Sequence, residues 1–175
     1  MPVDVPSLVV VGVLGPLLLA SYGVLVSKQP RDESYTTSPL WLGLGSSTAT
    51  MLAVFQALAA VGFLVAIGTW ALHSPPDGGV LSRHPAVLPA TLATLLLSSI
   101  AWALLMAFYP TRRDAAFKAA VSGSLIVVAA ATVLLLAGAA EERRPRWWVV
   151  LGLLLLAHVT VLGDGVVWNA RWLIL

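Results

Sequence analysis

Four side chains combine chemical capability with a position in apolar sequence: Gln56, Trp102 and His158 within predicted spans, and Asp164 near the far end of the last one. His158 is the strongest of them, because an imidazole can relay a proton near neutral pH or donate a ring nitrogen to a metal. It is therefore a candidate cofactor-binding residue, as an axial ligand for a haem or pigment, and equally a candidate proton relay or ligand contact. Asp164 follows six residues later. On an α-helix six residues turn by about 240°, so the two groups do not share a face and form no His–Asp dyad. Asp164 is instead a candidate mouth carboxylate for a cation or proton path. His73 and His84 lie near predicted helix ends, so no second histidine stands at the depth of His158, which disfavours a bis-histidine haem within the chain.

Each of these groups also has a purely structural reading. His158 serves equally well as a neutral imidazole bonded to a neighbouring helix, and Gln56 as an amide bridging two helices. Asp164 then pairs at the interface with Arg171 or a loop cation. Lys118 snorkels to the headgroups, and Ser98, Ser99, Ser122 and Ser124 bond carbonyls of their own helices. The chain contains no cysteine, which excludes disulfides, thiolate catalysis, cysteine-ligated zinc and iron–sulfur clusters. It has no phosphate-binding glycine loop, selectivity-filter signature or zinc-protease histidine pair. Catalysis needs converging polar groups. These are too few, and the expectation is a protein that is not an enzyme.

The elements that must position these residues are five uncharged apolar runs, each long enough to cross a bilayer. A helix rises about 1.5 Å per residue, so about 20 residues span a core of about 30 Å. The predicted helices cover about 5–27, 47–72, 85–109, 115–140 and 147–168, with a polar and interfacial loop over 28–46. Composition agrees. Of 175 residues 59% are hydrophobic and 10% charged, and the mean hydropathy is +0.92, whereas a soluble domain carries about a quarter charged residues. The fold class is thus all-α: a polytopic membrane bundle forming a single transmembrane domain over residues 1–175. A net charge of +2 gives no footing for a nucleic-acid partner.

Finer features refine the bundle. Pro16 predicts a kink in the first helix. Ala49, Ala53, Gln56 and Ala60 recur at helical spacing, and Gly62 and Ala66 add another small pair, so the second helix should pack closely inside the bundle. Six of seven tryptophans (Trp41, Trp70, Trp147, Trp148, Trp168 and Trp172) fall near predicted helix ends, as an interfacial belt requires; only Trp102 sits within a span. No basic residue precedes the first apolar run, so it reads as a retained helix rather than a signal peptide. Counting positive residues, six against four, favours an N-terminus outside.

Five helices, a long first loop, Trp168-Asn169 near the end of the fifth helix and Ser99-Ile100-Ala101-Trp102 in the third resemble the spacing of the translocator/tryptophan-rich sensory protein family. That family's tryptophan-rich double-proline entry to its second helix, and its glutamine and asparagine on the third, have no counterpart here. From the residues themselves, the leading expectation is a non-catalytic accessory or structural subunit of a larger membrane complex, partnered by the lipid bilayer and by other membrane subunits or its own copies. The alternatives are a small-molecule or proton transport or binding protein with a pocket around His158, or a pigment- or haem-bound membrane subunit. A bacterial plasma membrane and an organellar inner membrane fit equally.

Overall fold

The computed structural model describes residues 4–28, 46–72, 79–108, 114–143 and 145–170, with backbone alone at 46–50, 52 and 53. Five long helices make up the bundle: α1 (Val5–Lys28), α2 (Ser46–Leu72), α3 (Val87–Ala107), α4 (Ala115–Ala140) and α5 (Trp147–Ala157), the last continuing as a π-helix over His158–Trp168. The ends are set locally. Asp4 accepts from the Ser7 amide (3.2 Å) and hydroxyl (2.7 Å), capping α1. Asp114 caps α4 by accepting from the Phe117 amide at 2.9 Å. Helix α1 continues through Pro16, and α3 starts later and stops earlier than its apolar run. Trp41, the interfacial loop, Arg171 and Trp172 lie outside the described residues, as do the side chains of Ala49 and Ala53.

All five helices are long and apolar enough to cross a membrane. None of them carries a polar stripe opposite an apolar one, and the reason is physical: side chains facing lipid and side chains facing the bundle are both apolar. Large residues such as Val9, Val13, Leu19, Leu64, Val133 and Leu154 stand on the outside, where a hydrocarbon solvent accommodates them.

Neighbouring helices run in the order α1–α2–α5–α4–α3 around the bundle. At the α2–α5 contact backbone meets backbone, because Gly62 and Gly152 face one another: a Cβ on Gly62 would lie 2.7 Å from the Gly152 carbonyl oxygen. The added small pair Gly62 and Ala66 is buried, whereas Gln56 and Ala60 of the predicted packing face are exposed, so close packing of α2 falls on a different side from the one expected. The α1–α2 seam is different. It is tied at one end, where the Asp4 amide donates to the Ala71 carbonyl at 3.3 Å.

At that same end the connection between α2 and α3 folds back onto α4. Gly79 takes a left-handed conformation, φ 71°, that glycine tolerates at no steric cost. A short 3-10 turn follows (Val80–Ser82), its first amide donating to Glu141 Oε2 at 2.9 Å. Leu81 is buried against Gly138. Beneath it, the Trp70 indole N–H donates to Glu142, whose carboxylate also pairs with Arg146 at 3.3 Å. Trp70 therefore corrects the belt reading: it is 1% exposed, a buried donor whose acceptor lies just past the end of α4. Trp168 is buried too, whereas Trp147 and Trp148 are exposed as an interfacial pair should be.

Candidate functional site

A cavity of about 270 Å³ lies at the centre of the bundle and takes lining residues from all five helices. Its walls are largely apolar: Leu18, Phe63, Leu95, Leu125, Val128 and Leu156 among them. The polar lining is Tyr22, Gln56, Ser99, Trp102, Thr160 and Asp164. Four of these sit at one level. Measured from the helix ends nearest the Glu142 cluster, Tyr22 is seventeen residues past Val5, Gln56 sixteen before Leu72, Trp102 fifteen past Val87 and Asp164 seventeen past Trp147. Phe63, Leu95 and Leu156 lie closer to that end, so the cavity is apolar at one end and polar at the other.

Two packed clusters flank it. On the Glu142 side, Phe63, Leu92, Leu95, Leu135, Val149 and Leu153 belong to one buried core. On the other side, Leu25, Met106, Phe117, Val121 and Trp168 form a second. Sideways the enclosure is weaker. Leu19 and Tyr22 on α1 and Gln56 and Ala60 on α2 all line the cavity yet keep substantial exposure, whereas Leu95, Leu96, Leu125 and Val128 on α3 and α4 are buried. The cavity therefore opens along the α1–α2 seam, toward what would be lipid.

Asp164 is the chemically distinctive group. Among the described residues no donor or cation pairs with its carboxylate. A charge held this way inside a membrane span is costly unless a partner arrives. Aromatic rings stand at the same level: Tyr22 and Trp102 have centroids 6.0 Å apart at 51°, and Trp102 and Trp168 meet edge-on at 6.2 Å and 79°. Trp102 is 7% exposed, and its indole N–H has no acceptor among the described residues. Thr160 is fully engaged by comparison. Thr132 donates its proton to the Val128 carbonyl (2.9 Å) and accepts from Thr160 (3.1 Å), which also approaches the Leu156 carbonyl at 2.9 Å.

The π-helix carries Thr160 and Asp164 to the cavity together, as a spacing of four residues would in an α-helix too. Its i→i+5 bonding widens the turn and changes which residues share a side; such segments are rare and recur at functional sites. Gly165 fits this geometry, since a Cβ there would stand 3.1 Å from the Thr160 carbonyl. Asn169 closes the segment by donating to the Gly165 carbonyl at 3.2 Å. The expectation that His158 and Asp164 occupy different faces agrees with this arrangement, although the α-helical angle behind it does not apply here.

Of the four residues singled out in sequence, the structure brings together Gln56, Trp102 and Asp164. It leaves His158 outside. His158 is exposed on the bundle's outer surface, with its ring 5.4 Å from that of Phe55, so the expected pocket around His158 is corrected to a cavity that Asp164 lines and His158 does not. Tyr22 joins the site without having stood out in the sequence. Its signal is a lone phenol late in an otherwise Val/Leu-rich helix, legible only once α1 is known to flank α5's polar end. Among the described residues no group of three or more His, Asp or Glu side chains is placed to hold a metal ion.

No family model, curated protein or solved structure matches this chain. The likeness in spacing to the translocator family includes Trp102 and Trp168, which do meet at the polar end of the cavity, but it carries no assignment. What is established is an all-helical bundle with five helices long and apolar enough to span a membrane.

Proposed function

We propose that this is a non-catalytic membrane protein that binds a small, lipid-soluble molecule in the central cavity. The observation that carries this reading is the Asp164 carboxylate, unpaired among the described residues, facing a largely apolar cavity lined by every helix. Binding sites are typically concave and mostly apolar, with a few convergent polar groups, and Gln56, the Trp102 N–H and Asp164 supply such groups here. The apolar end would take a hydrocarbon portion and the polar end a head group. Access along the α1–α2 seam suits a ligand already dissolved in the bilayer. The test is native mass spectrometry of the protein purified in mild detergent. A small molecule retained by the wild type and lost from Asp164→Asn, with both proteins folded, is the expected result; a wild type that retains none and gains no stability from any added amphiphile defeats the reading.

A second reading, an accessory subunit of a larger membrane complex, has its own support. Gly12 and Gly15 of α1 have no atom near enough to touch an added Cβ, which leaves a surface that another helix could approach closely. It ranks second because the bundle builds a polar site at its centre without such a partner. Gentle solubilisation followed by size-exclusion chromatography separates the two: elution within a large assembly favours the subunit, and elution as a small species favours the ligand-binding protein.

A further inference from the structure

Resting on the ligand-binding reading above, we infer that the cavity selects a lipophilic amine, held by its ammonium group between the Asp164 carboxylate and the aromatic rings of Tyr22 and Trp102. Charge comes first. Asp164 has no cationic partner among the described residues, and of the other cavity-lining side chains none is basic. An ammonium group on the ligand would supply the counter-charge that no described residue provides to this carboxylate. A carboxylate or phosphate ligand would meet repulsion and no cation at all. An alcohol would use Gln56 and the Trp102 N–H but leave the carboxylate's charge uncompensated.

The rings point the same way. Tyr22 and Trp102 form a tilted pair at the level of Asp164, and Trp168 stands edge-on behind Trp102. Aromatic faces beside a carboxylate suit an ammonium group, since the ring quadrupole attracts a cation without the desolvation cost of a second anion. The remaining cavity gives the ligand its shape. Phe63, Leu95, Leu96 and Leu156 extend the space away from the polar level, so the molecule carries its amine at one end and hydrocarbon at the other. A free metal ion or a proton in transit fits less well. Packed apolar clusters flank the cavity toward both helix ends, and the seam leads to lipid rather than to water.

The test compares three probes of equal chain length on the full protein in nanodiscs of zwitterionic lipid at neutral pH: octylamine, octanol and octanoate. An aliphatic amine is protonated there, as lysine is. Thermal unfolding and equilibrium binding are measured for the wild type, Asp164→Asn and Asp164→Glu. Octylamine should stabilise the wild type more than octanol does, with octanoate having no effect. Asp164→Asn should bind octylamine about 10- to 100-fold more weakly, the range expected for losing one charged hydrogen bond, while Asp164→Glu keeps the preference. If Asp164→Asn does not fold, the ranking of the three probes on the wild type decides alone. Equal effects of octylamine and octanol on the wild type, or an amine preference that survives in Asp164→Asn, overturn the amine assignment and leave the ligand-binding reading standing. If none of the three affects the wild type and nothing co-purifies with it, both fall.

Discussion

The two halves of the bundle solve opposite problems with the same kinds of helix. Toward the Glu142 cluster, polar groups are partnered and the helices touch: Gly62 meets Gly152, Trp70 donates to Glu142, Glu142 pairs with Arg146, and Glu141 accepts from the Val80 amide. Around Asp164, polar atoms are left over among the described residues: the Asp164 carboxylate, the Trp102 N–H, the Ser122 hydroxyl and the Asn169 side-chain oxygen. Unsatisfied buried polar groups cost about 1–3 kcal/mol each. A chain that satisfies them in one half and leaves them in the other gives up stability in the second half, and of these groups the Asp164 carboxylate and the Trp102 N–H line the cavity, where the proposed ligand would engage them. Anchoring and binding thus fall at different depths of the bundle, with the 3-10 turn and the end of α4 as the lock and the π-helix as the site.

The sharpest way to break this comparison is to attack the tight half. Gly62→Leu inserts a side chain where backbone meets backbone, and overpacking of a site with nowhere to move costs about 3 kcal/mol or more. It should abolish the folded monomer in detergent, measured by size-exclusion recovery; retention of a wild-type profile would show that α2 and α5 are not held at this contact. Next, Glu142→Ala removes the acceptor of Trp70 and the partner of Arg146 at once. A loss of about 2–4 kcal/mol is expected, because the buried Trp70 donor loses its acceptor and Arg146 loses an ion pair, whereas Glu142→Gln keeps an acceptor for Trp70 and should lose roughly half as much. Unfolding in detergent with added denaturant reads both.

Three further substitutions should have smaller effects. Thr132→Val removes one interhelical hydroxyl contact, with Thr160, and should cost about 0.6 kcal/mol, the average for such bonds in membranes. Asp164→Asn should leave unfolding unchanged or raise its midpoint, since it removes an uncompensated charge while losing the ligand. A strong destabilisation by Asp164→Asn would mean that the carboxylate is structural and would erase the contrast between the halves. His158→Ala comes last. Its ring faces outward against Phe55, so stability should change by no more than about 0.5 kcal/mol and ligand retention not at all; loss of a bound molecule in this variant would move the site back to His158.

The helix count, the membrane-spanning length of each helix and nearly every helix boundary were legible in the sequence. Hydropathy is summed along the chain, and backbone groups in hydrocarbon must bond within their own segment, so a long apolar run has few alternatives to a helix. Gln56, Trp102 and Asp164 stood out for a similar reason: polar atoms in apolar runs are visible without knowing what surrounds them. Which of them meet is a different question. Periodicity marks a face only where lipid and protein differ in polarity, and here both sides of each helix are apolar. Trp70 and Trp147 look alike in sequence, yet one is sealed against Glu142 and the other is exposed. His158 and Asp164 are close neighbours in the chain, yet one faces outward and the other the cavity: their spacing alone puts them on different faces, and which face meets the cavity is set by how the last helix packs. Helix identity follows from local hydrogen bonding and hydrophobicity, which a sequence states directly. The order of helices around the cavity, and the placing of Tyr22 beside Asp164, depend on close packing between segments distant in the chain, which only the tertiary structure decides.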